Sequence, residues 1–524
     1  MYELPFGPIL SFRGINDRKY LVSALLLRAL GNEEPKYACG KCKASSSLIA
    51  QVPLSSPTMD VWRLDIEVLQ EEVELCVEYI FDGISGCFYV PPSGQAPRIA
   101  YASCSGVSDA KYVRSLGAQY AERWSNLAES HNRAKYHLLI LGGDQIYSDE
   151  MLKTKGTPLN DWYEKFSWSR DDEKWTADME AQADNFFARV YPRYWSRPEI
   201  LQVLRLVPTL MMWDDHDIMD GWGSYPQKLH ESPVHQSLFS IAERYFRIYQ
   251  QQIGPKEKRP GAITEAGYSF AFSDLGNLAI VVPDLRSERA PDIKAGNKIK
   301  PTQVMSQESI KQMFDWIRSL TTKRHAHLLF VSSVPVSFVS LALLENLVGW
   351  IPGEIGPEDD FRDHWRHAPH KDERKQIING LLDFSTESSC KATIVSGDVH
   401  VAAASIIRST NPKHGNRGAE VIYQLISTGI VHPPLDPFAI SCLEAIRSNS
   451  EKIDAGLVAE MLPIAHSGKC LIASRNWLSI EPDDKEDLRA RLWVSWHVEG
   501  YPHPIKKLID PVRPERPQSN QGDN

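Results

Sequence analysis

Residues 60–92 alternate apolar and polar positions, with β-branched and aromatic residues on the apolar side and breaks at Asp82-Gly83 and Gly86. A period of two with turn residues between the runs predicts antiparallel strands. The run ends in a Pro/Gly/Ser stretch at 90–98 that reads as a linker. From Arg98 the texture changes. Short apolar runs occupy 98–104, 136–144, 208–215, 277–284, 326–335, 393–400 and 420–429, and segments of helical spacing, such as 110–130, 236–253 and 371–384, lie between them. Buried strands alternating with helices predict an α/β architecture. The expected organisation is an N-terminal β-rich region with its linker over 1–97, a main domain over 98–503 with helical insertions at about 148–200 and 436–465, and a C-terminal tail at 504–524 that is polar and Pro-containing from 511.

The most apolar stretch, 326–350, contains Ser333, Pro335 and Glu345. Polar and charged groups at those depths are costly in a bilayer, so the stretch reads as a buried strand followed by a helix rather than a transmembrane segment. With 58 Lys and Arg against 67 Asp and Glu, the net charge is −9. No long basic run interrupts that balance, so bulk nucleic-acid binding is not expected. The eight cysteines are scattered, which argues against a secreted disulfide framework. The N-terminal residues carry neither a signal-peptide pattern nor a twin-arginine pair, and a cytoplasmic location is expected. Oligomeric state is not legible.

Several apolar runs end in residues that can bind metal or phosphate: Cys104, Asp144, Asp215, Asp284, and the pair Asp398 and His400. Ligands of open α/β sheets bind outside the carboxyl ends of strands, so these side chains can converge on one edge although they are remote in sequence. A single such Asp is usually a turn or cap residue. Five sites together point to a shared centre.

The segments YASCSG, LILGGDQIY, MMWDDHDIMDGWG, VPDLRSER and IVSGDVHVA resemble, in order and spacing, the motifs of PhoD-like phosphatases, a branch of the calcineurin-like metallophosphoesterases. The resemblance covers roughly 60–435. It implies a four-layer α/β/β/α sandwich preceded by a small N-terminal antiparallel β domain. It also implies a metal site in which Cys104, Tyr147 and His400 serve one position, Asp215 and Asp398 a second, and Asp144 bridges the two. Cys104, Asp215 and Asp398 stand where the wider superfamily has Asp or His, Asn, and His. A thiolate, phenolate, imidazole and carboxylate suit a polarising transition metal, and the family places Fe3+ there. The oxygen-only position suits Ca2+, the family's choice, with Mg2+ or Mn2+ as alternatives and Zn2+ as a further substitute in the centre.

Within the same resemblance His216 aligns with the superfamily's catalytic histidine, a role that suits imidazole as a general acid near neutral pH. Asp214 and Asp217 would orient their neighbours. Arg286 would clamp phosphate in bidentate fashion. Asp284, Asp363, His364, His370 and His432 are candidate substrate contacts. The CGKC at 39–42 is a lone CxxC without a second pair at zinc-finger spacing and without a strand-to-helix context, so a surface turn with free thiols is expected.

The function implied is metal-dependent hydrolysis of phosphoric monoesters, diesters or both. The alternatives are a weakly active scaffold of the same fold, or another metal-dependent hydrolase such as an amidase or phosphotriesterase.

Overall fold

The computed structural model describes residues 5–513, apart from 32, 54–57, 166–169, 291–292, 296–297, 301–302, 324, 339–369, 416, 435–439, 442–443, 445–449, 465–467, 484 and 486–489. All seven apolar runs beyond Arg98 contain strands: Ile99–Ala102, Leu138–Gly142, Thr209–Met212, Leu278–Val282, His327–Ser332, Lys391–Ser396 and Val421–Ile426. The first three lie side by side and parallel at the centre of a ten-stranded sheet. The other four form a parallel block within a second, nine-stranded sheet. Within each parallel block, successive strands are joined by long connections, as parallel pairing requires.

Side-chain alternation divides the strands into layers. Leu138, Ile140, Leu210 and Met212 from the first sheet pack with Leu278, Ile280, Leu329, Val331, Val395 and Leu425 from the second in one hydrophobic layer. The alternate residues point outward. Leu139, Leu141 and Met211 meet Trp124, Leu127, Phe187, Val203 and Tyr245 of the helices on one side. Val281, Phe330 and Ile394 meet Ile310, Met313, Ile377 and Leu381 on the other. A period of two with both faces buried makes an α/β/β/α sandwich, and each fully buried aliphatic side chain contributes about 1.5–3 kcal/mol.

The N-terminal region is antiparallel β structure, and it continues the first sheet. Strand Phe6–Asn16 runs parallel to Thr209–Met212 at Ser11 and Thr209, and Lys19–Ala29, Met59–Leu69 and Lys43–Val52 follow outward from it. A separate three-stranded sheet holds Tyr37–Ala38, Leu75–Phe81 and Ile84–Val90.

The helix expected at 110–130 is split into Ala110–Leu116 and Glu122–Arg133 by a turn at Gly117, whose φ is +48°. The helix expected at 236–253 begins earlier, at Pro233, because Ser232 accepts the His235 N–H as its cap and proline suits the first helical position. The third spans Lys371–Ser388. Insertion 148–200 is helical, with Ala177–Trp195 as its longest element. The expected helical insertion at 436–465 is corrected over its second half, where Ser450–Asp454 and Leu457–Leu462 form a hairpin paired to Ala402–Ser409. That segment alternates exposed and buried residues, SEKID followed by LVAEML, which is strand patterning. No helix among the described residues is long and apolar enough to cross a membrane.

Candidate metal centre

The candidate residues follow the carboxyl ends of the parallel strands in both sheets. Cys104 lies two residues beyond Ala102, Asp144 two beyond Gly142, Asp215 three beyond Met212, and Asp398 two beyond Ser396. Four of them hold left-handed backbone conformations that non-glycine residues rarely adopt: Cys104 with φ +54°, Asp144 +56°, Asp398 +73° and His400 +51°. Each costs on the order of 1–3 kcal/mol, and such strain concentrates where a side chain must be aimed. The turns are tied to one another, with Cys104 N–H donating to Gly143 O at 3.2 Å and Ser105 N–H to Asp144 O at 2.8 Å. Gly143 has φ +109°, and a Cβ there would stand 2.7 Å from the Cβ of Asp214.

Cys104 Sγ lies 3.4 Å from Asp144 Oδ2 and 2.9 Å from Thr428 Oγ1. Ligand atoms of Asp144, Asp215 and His216 all lie within 4.8 Å of one another. The Tyr147 ring packs on His216 at 4.3 Å and on His432 at 5.7 Å, and His432 stacks on His400 at 3.7 Å. The predicted set is thus gathered at one edge, with Asp398 close enough to raise the Cys104 thiol pKa.

The donor set fits a cation. Asp144 Oδ1 and the Tyr147 hydroxyl are buried without a partner of hydrogen-bonding geometry among the described residues, although the hydroxyl faces Cys104. Buried polar atoms are normally satisfied, so two orphans on adjoining candidate ligands are informative. Burial, reinforced by the neighbouring acids Asp215, Asp214 and Asp217, pushes the Asp144 carboxyl well above its usual range. Burial and then Asp144 do the same to the Cys104 thiol, and burial and then Cys104 to the Tyr147 phenol. Anions crowded in this way are relieved by a positive ion.

Two carboxylates hold the frame. Asp217, fully buried, accepts the backbone N–H groups of Asp144 at 2.9 Å, Gln145 at 3.1 Å, Ile146 at 3.3 Å and Asp214 at 2.9 Å, and the Gln250 side-chain amide at 2.9 Å. Asp214 accepts from Arg286 Nε. Asp215 is oriented from both sides, by Gly221 N–H at 2.8 Å on Oδ2 and Arg286 Nη2 at 3.4 Å on Oδ1.

Arg286 therefore differs from the phosphate clamp expected of it. It is fully buried, and its guanidinium is engaged by Asp214, Asp215 and Trp222 O. Asp284 is likewise a structural acceptor rather than a substrate contact. It receives Trp213 Nε1–H at 3.0 Å and the backbone N–H groups of Tyr268 and Arg286 at 2.9 Å each, which closes the turn after its strand. His370 is buried immediately before the helix Lys371–Ser388, at its N-cap. Asp363 and His364 lie outside the described residues. His432 stands beside His400 and Tyr147.

His216, 14% exposed, meets Asp149, whose Oδ2 is 2.7 Å from Nδ1. Burial pulls the imidazole pKa down, but Asp149 and Asp215 outweigh it and hold His216 well above its ordinary value. Asp149 had not been singled out from the sequence. As an acid in the first turn of the helix Asp149–Lys153 it looks like a dipole partner. Asp220, 3.9 Å from Nε2, completes a second group of possible ligands with Asp149 and His216.

Comparison with known proteins bears on the same residues. A Saccharomyces cerevisiae protein described as uncharacterized protein YGR266W is 25% identical over 81% of this chain and 71% of its own length. The solved structure of PhoD superposes with a TM-score of 0.54 at 13% identity, covering 98% of this chain and 91% of that one, which shows a common fold. Purple acid phosphatase PPD1 from yellow lupin (Lupinus luteus) gives a TM-score of 0.48 at 11% identity over 96% of this chain and 74% of its own. The sequence model of the PhoD-related phosphatases matches residues 105–352 and 342–452, a span that holds Asp144, Tyr147, Asp215, His216, Asp398 and His400 and covers most of the molecule, so the chain belongs to the PhoD-related phosphatase family.

Proposed function

We propose that the protein hydrolyses phosphoric monoesters, diesters or both at this strand-end centre. In this reading Cys104, Tyr147 and His400 would hold Fe3+, Asp215 and Asp398 would hold Ca2+, and Asp144 would serve both, with Zn2+, Mn2+ or Mg2+ as the alternative ions. The observation that carries it is the pair of orphaned buried atoms, Asp144 Oδ1 and the Tyr147 hydroxyl, within a knot of left-handed strand-end residues. When bound, such ions supply positive charge for phosphoryl oxygens and lower the pKa of water.

The chain's own groups do the rest. Asp149 accepts from His216 Nδ1, which fixes the ring and leaves Nε2 to hold the proton that the departing ester oxygen needs. Asp217 anchors the backbone of 144–146, and Arg286 orients Asp214 and Asp215. Stacking of His432 on His400 limits how either ring can turn.

Elemental analysis of the purified chain, followed by assays on phosphomono-, di- and triesters for wild type and Asp144→Asn, tests the reading. Iron with calcium and turnover of mono- or diesters are expected, both lost in Asp144→Asn because one bridging charge is removed. Turnover of triesters alone would select the phosphotriesterase alternative. A folded wild-type chain that takes up no metal and hydrolyses none of these esters overturns the proposal in favour of a scaffold.

A further inference from the structure

The CGKC segment forms a tight turn outside the centre described above. Cys42 N–H donates to Cys39 O at 2.9 Å, and Gly40 takes the left-handed φ of +34° that the turn needs. A turn closed in this way brings its first and fourth Cα atoms within about 7 Å, and a disulfide needs Cα atoms about 4.4–6.8 Å apart. Both cysteines are free thiols, and they are close enough for each to shift the pKa of the other.

The two sulfurs differ in surroundings. Cys39, 7% exposed, packs in the inter-sheet hydrophobic layer with Tyr79 and Phe81. Cys42 is half-buried and stands between Lys41 and Lys43. An accessible thiol backed by a shielded one is the arrangement that thiol–disulfide exchange uses.

We infer that Cys39 and Cys42 are a redox-active dithiol that closes to an intrachain disulfide by exchange with a small-molecule disulfide of the glutathione class. Cys42, as thiolate, attacks one sulfur of the small disulfide, forms a mixed disulfide and releases one small thiol. Cys39 then gives up its proton and attacks the Cys42 sulfur, releasing the second small thiol. Two electrons pass from the protein to the small disulfide, and two protons leave with the thiols. Exposure sets this order of attack, since Cys42 is half-buried and Cys39 is buried, and the mutual influence of the two thiols, which lowers the Cys42 pKa and raises that of Cys39, acts in the same direction.

The full chain is equilibrated in glutathione buffers from fully reduced to mostly oxidised, quenched in acid, alkylated after unfolding, and mapped by mass spectrometry. The disulfide fraction of the 39–42 peptide is expected to rise with the oxidised share. Cys39→Ala is expected to stop at a glutathione adduct on Cys42, and Cys42→Ser to leave Cys39 a free thiol. Wild-type protein in which Cys39 and Cys42 both remain alkylatable while exposed Cys76 carries glutathione overturns the inference. Glutathione on Cys39 in Cys42→Ser overturns the assigned order. The readout is mass alone, so it stands or falls apart from the phosphoester reading.

Discussion

Asp149 Oδ2 lies 2.7 Å from His216 Nδ1, a contact made across 67 residues of chain. A carboxylate at that nitrogen fixes which tautomer the ring presents to the edge where Asp144 and Asp215 converge. His216→Ala is expected to retain metal and to lose roughly 10²–10⁴ in hydrolysis, the range for a positioned proton donor. Asp149→Asn removes one charge-assisted hydrogen bond, about 1.5–3 kcal/mol, so a loss of roughly ten- to a hundredfold is expected. Both losses should shrink for nitrophenyl esters relative to alkyl esters, and steady-state kinetics on the two ester types measure this. Equal losses on both would remove the proton-donor role.

A thiolate and a phenolate on Fe3+ absorb visible light by charge transfer, so the concentrated, iron-loaded protein is expected to be coloured. Cys104→Ser should shift or bleach the band, and Tyr147→Phe should remove a different part of it. Absorption spectra of the three proteins at equal iron content decide the matter. A colourless, fully active protein with stoichiometric zinc would refute the iron assignment, because Zn2+ has no such transition.

The guanidinium of Arg286 and the carboxylate of Asp214 are both essentially removed from solvent. Taking one partner from a buried ion pair strands the other, at a cost of about 3–5 kcal/mol. Arg286→Met is therefore expected to lower the urea midpoint strongly, and, where it folds, to weaken metal binding through Asp215. A phosphate clamp would instead have shown a higher KM with stability unchanged.

Glu74 accepts from His137 at 2.8 Å and pairs with Arg98, and these partners hold its carboxyl down at about 2. A folded-state pKa below the unfolded value means the stabilisation is present above about 4.5 and is lost as pH falls toward 2. His137, whose pKa burial lowers, acts in the same direction, since it must be charged on unfolding in acid. Melting temperatures recorded from pH 6 to pH 2, roughly the range over which these groups titrate, should fall more steeply for wild type than for Glu74→Gln. Parallel curves would show that Glu74 contributes nothing to acid sensitivity.

The strands beyond Arg98 were readable because both faces are buried, which turns each into an unbroken apolar run with a polar residue at its end, as at Leu138–Gly142 before Asp144. Cys104, Asp144, Asp215, Asp398 and His400 were readable for the same reason. Asp149 was not, because its partner is 67 residues away and an acid at a helix start has an ordinary local explanation. Arg286 carried no sign of burial in its sequence, since an arginine four residues past a strand looks the same whether it meets a ligand or Asp214. The pairing of Phe6–Asn16 with Thr209–Met212 joins segments about two hundred residues apart, beyond any local pattern.

The hydrophobic layer between the sheets has a second consequence. Cys104, Asp144 and Asp215 ride on one sheet, whereas Asp398, His400 and His432 ride on the other. The thickness of that layer, set by side chains such as Ile140, Leu210, Leu329 and Val395, acts as the spacer between the two jaws of the centre. Shaving a methyl group from the layer far from any ligand should therefore retune the grip on an ion, which makes ion affinity a gauge of how tightly the two sheets are clamped.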